Sequence, residues 1–265
     1  MSKRESIVPT LLLDTKTDIP FSSAQVTIYQ PSIKEISMIG ESDFLIGVSA
    51  LSKDYKSMNK DNSDLSELSN FDILMSILKE NSDNSKKIAM AIDKVLFLIF
   101  PHYKIGFTPR SILLQETIDD KKEIHHIDGT TFDEFGQIIF EMFCLAEMTG
   151  ETSGEYNPMG DRARALVEKF RKKRELLAEL RKERGENDAL LSIYGRYINI
   201  LAIGERKDKN QLAQYSVYQL IEEFKRFQLK EAFDYTFQAK MAGATKIKDA
   251  KDWMSNIHFG VETED

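Results

Sequence analysis

Apolar residues recur every three to four positions along most of this sequence, and they alternate with polar residues in only a few short stretches. The first spacing is that of an amphipathic helix, and the second is that of a half-buried strand. Alternation over residues 25–29 predicts a strand, which Pro31 ends. Helical spacing predicts helices at 33–39, 44–51, 71–78, 86–100 and 132–145.

Three of these helices are preceded by the spacing of a capping box, in which a side chain before the helix accepts from the third helical amide and the third residue reaches back. The pairs are Ser32 with Glu35, Ser69 with Asp72, and Thr131 with Glu134. Polar residues over 52–66 predict a surface loop. Short β-prone runs at 105–107, 112–114 and 124–127 predict a small antiparallel meander.

The segment TGETSGEYNPMGD at 149–161 predicts a linker, because it combines three glycines and a proline with polar residues. An α+β domain at 1–148 precedes it. A helical domain at 162–257 follows, with one long charged helix at 162–184, further helices at 188–203, 212–241 and 246–257, and an acidic tail at 258–265. The predicted fold class is therefore mainly α (α+β): an N-terminal helical domain with a small β-meander, then a C-terminal helical bundle.

The composition narrows the class of protein. The chain has 265 residues, of which 42% are hydrophobic and 30% charged, as in folded globular proteins. Its longest apolar run, residues 95–101, is far shorter than the roughly 20 residues that span a bilayer. Cys144 is the single cysteine, which excludes an intrachain disulfide, and the N-terminus lacks a signal cleavage site. We expect an intracellular protein with no membrane contact.

Residues that could carry catalysis are sparse. His125 and His126 are adjacent on a predicted strand, where they point to opposite faces and cannot readily share one metal ion. Cys144 lies on an apolar helix, which is typical of a buried thiol. No glycine-rich phosphate loop and no hydrolase motif occurs. The sequence therefore predicts no enzyme, no cofactor and no metal site.

Positive charge is concentrated in one segment. Residues 162–184 hold ten Lys or Arg and four Asp or Glu, whereas the whole chain has a net charge of −7. The cluster Arg171, Lys172, Lys173 and Arg174 is a candidate partner contact. Interleaved glutamates are typical of a solvated helix, and the acidic remainder disfavours nucleic acid. A protein partner, a plain solvated face and a nucleic-acid-binding regulator are the alternatives.

Aromatic residues are dense in the last long helix. Phe224 and Phe227 continue one apolar stripe, which is typical of a core. Phe233 and Phe237, with Tyr235, point in several directions, as in a helix that is central to a bundle or docks onto another molecule. The candidate partner-binding residues here are Tyr218, Phe224, Phe227, Phe233, Phe237 and Trp253.

Two segments resemble morphogenesis proteins of tailed bacteriophages. The first, from Ile19-Pro20 through the predicted strand to Pro31 and Lys34-Glu35, is similar to the opening of phage tail assembly chaperones and of baseplate-hub assembly proteins of contractile tails. The second, residues 218–227 continuing to 239–244 and 252–254, is similar to the C-terminal helices of phage proteins encoded beside tail genes. Together the two cover about a quarter of the chain.

The resemblance implies a non-enzymatic assembly factor of the host cytoplasm that acts through protein–protein contacts. Tail assembly chaperones are mostly helical and coat the tape measure protein until tail-tube subunits polymerise around it. The expected partners are therefore tape measure, tail-tube or baseplate subunits, with self-association as a further contact. The alternative within this class is a structural baseplate or tail subunit that is incorporated in the virion.

Overall fold

Helices form most of the structure, a computed structural model that describes residues 6–58, 68–80, 82–117, 123–146, 192–243, 249 and 252–254. The helices of these residues are α1 (Thr10–Asp14), α2 (Ile33–Ile39), α3 (Glu41–Ser52), α4 (Tyr55–Met58), α5 (Asn70–Lys79), α6 (Asp83–Ile99), α7 (Phe132–Met142), α8 (Ile193–Gly204), α9 (Lys209–Leu212) and α10 (Val217–Met241). The predicted fold class, mainly α of the α+β type, is confirmed.

Two small antiparallel sheets accompany the helices. One is a hairpin of β1 (Ile19–Phe21) and β2 (Val26–Ile28), and the other is a meander of β3 (Tyr103–Phe107), β4 (Ser111–Glu116) and β5 (Ile124–Asp128). The meander is the one that the sequence predicts. Ile112, Leu114 and Ile127 lie on its buried face, because alternate residues of a strand point to the same side. Strand β1 was not predicted, because Pro20 at its centre argues against a strand.

Two of the three predicted capping boxes are present. At α2, the Ser32 hydroxyl accepts from the Glu35 amide at 3.2 Å, and the Ser32 amide donates to the Glu35 carboxylate at 2.7 Å. Ser69 and Asp72 make the same reciprocal pair at the start of α5. These helix starts are therefore encoded locally.

The third predicted box, Thr131 with Glu134, is wrong. The Thr131 hydroxyl makes no cap at α7 and accepts instead from the Asp128 amide at 3.0 Å. The Asp128 carboxylate in turn accepts from the amides of Thr130 at 2.9 Å and Thr131 at 3.2 Å. The turn that leaves β5 thus uses the threonine that would have capped the helix.

The predicted helix at 212–241 begins later, at Val217, after the separate short helix α9. Between α9 and α10, the Tyr215 carbonyl accepts from the Ile33 amide at 3.0 Å, so that it is bonded to the start of α2. The Gln219 amide, which a continuous helix would bond to this carbonyl, donates to the Ser216 hydroxyl at 3.2 Å in a new capping box. A contact between distant residues therefore starts α10 at Val217 and leaves Tyr215 outside it.

One apolar core joins residues from both sides of the predicted linker. The fully buried Phe44 of α3 contacts Phe143, which follows α7, and Tyr194 of α8, with ring centroids 4.9 and 6.4 Å away. The same core includes Val217 and Leu220 of α10. The linker at 149–161, the charged helix at 162–184 and the tail at 258–265 lie outside the described residues and stay predictions.

Two carboxylates accept hydrogen bonds from backbone amides of segments that are distant in the chain. Glu141 of α7 accepts from the amides of Ile7 and Val8, both at 3.0 Å. Glu41 of α3 accepts from the Ile193 amide at 2.6 Å, at the N-terminus of α8, where the helix dipole favours a negative charge. The start of α8 is therefore held on the same helix that carries Phe44.

The predicted surface loop at 52–66 is wrong over its first part, where α4 lies. Tyr55 is buried there, and its hydroxyl donates to the Ala50 carbonyl at 2.9 Å. Burial raises the pKa of Tyr55 to about 12. Residues 59–67, and most of the helix predicted at 246–257, lie outside the described residues.

Candidate interaction surface

Helix α10 divides into two halves with different surroundings. Val217, Leu220 and Ile221 in its first turns are buried in the core. From Gln228 onward most side chains are exposed. We call residues 217–227 the anchored half and residues 228–241 the projecting half, which is about 21 Å long at 1.5 Å per residue.

The anchored half ends in two aromatic contacts with α8. The Phe224 ring stacks on Tyr197 with the centroids 4.4 Å apart and the planes at 26°. The Phe227 ring lies against Gly204, the last residue of α8, where a Cβ atom would collide with it. Both rings are partly buried against the core, so these two predicted partner-binding residues hold α10 to the body.

Tyr218 lies in the core and not on the surface. Its exposed fraction is 4%, and burial raises the pKa of its phenol, with the nearby charges of Asp14 and Glu222 adding to the effect. A side chain buried to this extent offers a partner almost no surface, so the expectation that Tyr218 lies on a contact surface does not fit the structure. The sequence could not show this, because α1, which packs against α10, carries no signal of its own.

The projecting half carries an exposed apolar stripe. Phe233, Phe237 and Met241 are 37%, 58% and 75% exposed, and their spacing of four residues puts them along one face. The half-buried Leu229 continues this row by one turn. Tyr235, also 75% exposed, lies on the opposite face. Met241 was missed from the sequence, although the same spacing of four could have found it.

Residues 249 and 252–254 lie against α10 at two points, seven residues before and seven residues after Phe233, and therefore on the same face of the helix as this stripe. Arg226 donates from Nε to the Glu222 carboxylate at 2.7 Å and from Nη1 to the Trp253 carbonyl at 2.9 Å. Lys240 forms an ion pair with Asp249. Trp253, a predicted partner-binding residue, is thus half-buried beside the anchored half.

A cluster of charged side chains lies where the chain connects α8 with α10. Lys207 forms ion pairs with Glu205, at 3.0 Å, and with Glu223, and its ammonium lies 6.0 Å from the centre of the Tyr215 ring. Burial by itself would lower the pKa of Lys207, but hydrogen bonds to the two carboxylates outweigh it and raise the pKa. Burial raises the pKa of Glu223. The two ion pairs link Glu205, which follows α8, with Glu223 of α10.

The remaining candidate residues form no joint site. The His125 ring meets Tyr103 edge to face at 6.1 Å, whereas His126 Nδ1 lies 3.4 Å from the Ser111 hydroxyl. Cys144 is buried, as its apolar surroundings predict. In the part of the chain that the structure describes, no three His, Cys, Asp or Glu side chains gather as metal ligands would. The basic cluster Arg171, Lys172, Lys173 and Arg174 lies outside that part.

The segment that contains this surface is similar to a known protein family. Residues 194–258 match the YomV second domain. The proteins of this family are derived from phages, so the match relates this chain to phage proteins. The matched range holds α8 except its first residue, all of α9 and α10, and Trp253, and it includes the second of the two segments that resemble phage morphogenesis proteins. No curated protein and no solved structure matches the chain.

The same described residues bear on the membrane prediction. None of their helices has both the length and the apolar character that crossing a bilayer requires. The projecting half of α10 illustrates this, since Lys230, Glu231, Asp234 and Lys240 interrupt its apolar residues.

Proposed function

We propose that this protein assists phage tail assembly in the host cytoplasm through protein–protein contacts and not through catalysis. The observation that supports the proposal is the exposed aromatic stripe of the projecting half, inside the range that matches the phage-derived YomV second domain. Large aromatic side chains exposed along one helix face are typical of contact surfaces. The partner is a tail protein that offers an amphipathic helix, such as the tape measure protein.

Area arithmetic indicates how much the stripe can contribute. A fully buried Phe side chain removes about 200 Å² from water, so the exposed 58% of Phe237 offers roughly 120 Å². At about 25 cal/mol per Å², covering it contributes about 3 kcal/mol, which is the range of an interface hot spot. Loss of this ring should weaken partner binding about a hundredfold.

Co-purification from phage-producing cells tests the proposal. The tagged chain should capture a tape measure, tail-tube or baseplate subunit, identified by mass spectrometry. Phe237→Ala should abolish capture, and Tyr235→Ala, which removes an aromatic residue from the opposite face, should retain it. Circular dichroism of both variants should match the wild type, because neither side chain is buried. Capture of no tail protein, or equal capture by both variants, would contradict the proposal.

Two further measurements distinguish this function from its alternatives. Presence of the chain in purified phage particles, in stoichiometric amount, would identify a structural subunit of the virion and not a chaperone that leaves. Salt-dependent retention on DNA or RNA, lost when Arg171 to Arg174 are replaced by glutamate, would identify a nucleic-acid-binding regulator. The assembly proposal requires that neither result is obtained.

A further inference from the structure

Two contacts made by the chain's own C-terminal residues bracket Phe233. Arg226, seven residues before Phe233, donates to the Trp253 carbonyl at 2.9 Å. Lys240, seven residues after Phe233, forms an ion pair with Asp249. Seven residues are close to two helical turns, so both contacts lie on the face of α10 that carries Phe233. The aromatic stripe therefore has an occupant from the same chain.

The chain reverses its direction to make these contacts. Just after the end of α10, Gly243 has a φ of 93°, a conformation that glycine adopts without strain and that is typical of a helix end. Asp249 then contacts Lys240 in the last turn of α10. Trp253 contacts Arg226, which lies about 21 Å nearer the body along the helix. The described residues after α10 thus return antiparallel to it.

We propose that residues 249 and 252–254, which we call the C-terminal cover, are a releasable cover of the aromatic stripe and that a tail partner must displace them to occupy it. The exposure of the stripe supports this arrangement. Phe233, midway between the two contacts, is 37% exposed, whereas Phe237 is 58% exposed. Competition with a partner rests on the proposed function, whereas the cover itself does not.

The two contacts are weak enough for the C-terminal cover to open. The side chain of Asp249 is 90% exposed and that of Lys240 is 40% exposed, and water and salt screen an ion pair in such surroundings. Arg226 also donates from Nε to the Glu222 carboxylate at 2.7 Å, so it keeps this bond when the Trp253 carbonyl leaves. Opening therefore breaks few interactions, and it exposes the stripe and the tryptophan together.

Charge reversal at Asp249, with the single tryptophan as reporter, tests the C-terminal cover. Trp253 is half-buried in the closed arrangement. Asp249→Lys places two like charges together, so the fraction of open chains should rise about two- to fivefold, seen as stronger acrylamide quenching of Trp253. Lys240→Asp combined with Asp249→Lys exchanges the two charges and should restore the wild-type quenching.

A matched variant controls for the change of charge. Glu231 is exposed on the side of α10 opposite Lys240, so Glu231→Lys makes the same change of charge away from the C-terminal cover. Its quenching should equal that of the wild type. Equal quenching of Trp253 in the wild type and in Asp249→Lys would overturn the proposal.

An uncharged dye tests which surface the C-terminal cover protects. Asp249→Lys should increase the fluorescence of Nile red, which binds apolar surfaces, because opening frees Phe233 and Phe237. Adding Phe233→Ala and Phe237→Ala to Asp249→Lys should remove this increase. An increase that persists without the two rings would place the cover on another surface and overturn the proposal.

Capture of a tail protein tests the competition. The apparent Kd falls as the open fraction rises, so Asp249→Lys should strengthen capture by the same factor, about two- to fivefold. Unchanged capture by a variant in which Trp253 is released would end the competition and leave the proposed function. Release of Trp253 with the Nile red increase, in a chain that captures no tail protein, would end the proposed function and leave the cover.

Discussion

Phe44 connects the parts of the chain on either side of the predicted linker, so its truncation tests whether they fold as one unit. Its ring is fully buried and contacts Phe143 and Tyr194. In Phe44→Ala, the lost burial and the cavity that remains cost about 3–5 kcal/mol. With a urea dependence of about 3 kcal/mol per molar, the unfolding midpoint should fall by about 1–1.7 M.

The single tryptophan makes the assay specific. Trp253 lies against α10, far along the chain from Phe44, and it reports on the C-terminal helices by fluorescence. Circular dichroism reports on all helices. If both halves share one core, the two signals should fall together in urea, and Phe44→Ala should move both midpoints by the same amount.

An exposed phenylalanine provides the control. Phe97 of α6 is 69% exposed, so Phe97→Ala should change the free energy of unfolding by less than about 0.5 kcal/mol. A tryptophan transition that keeps its wild-type midpoint in Phe44→Ala, while the circular dichroism changes, would show two independent domains. That result would refute the shared core.

Three further predictions concern single features. Gly204→Ala should destabilise the protein by about 1–2 kcal/mol, measured by urea unfolding, because the added methyl group displaces the Phe227 ring; an unchanged midpoint would contradict the contact. Burial opposes ionisation of Glu35, but its hydrogen bonds with Ser32 outweigh this and lower its pKa below 4.5, so it stabilises the fold above that pH and the contribution is lost as the pH falls. Thermal unfolding of Glu35→Gln should therefore depend less on pH between 3 and 6, and equal slopes would refute this. Because Phe143 and Tyr194, which flank residues 147–191, both contact Phe44, a Gly/Ser linker of about ten residues, spanning roughly 17 Å, should replace those residues with the circular dichroism of the remaining helices retained; an unfolded product would contradict this.

Local signals explain most of what could be predicted. The helices that contain Phe44, Val95 and Phe135 were predicted because an amphipathic helix repeats its apolar residues at its own period, whatever its partner is. The capping boxes at Ser32 and Ser69 were predicted because they involve residues only three positions apart. The two exposed rings, Phe233 and Phe237, were identified because they depart from the core stripe.

The errors occur where another residue, near or far in the chain, uses a group that the helical pattern had assigned elsewhere. Thr131 accepts from the amide of Asp128 instead of capping α7. The Tyr215 carbonyl accepts from the Ile33 amide, far away in the chain, and so interrupts the predicted helix. Tyr218 is of the same residue type as the exposed Tyr235, but it is buried at the end of α10 against which α1 packs.

By itself, the sequence determined the helix periods, the β-meander, two helix caps and the aromatic content of α10, since each depends on neighbours along the chain. Only the tertiary structure decided which half of α10 is covered. The body ends at Phe227, where the ring meets Gly204. The face of α10 that packs Phe224 on Tyr197 carries Tyr235 three turns later, and Tyr235 is exposed. A periodic pattern specifies a face, but whether that face is buried depends on how far the packed body extends along it.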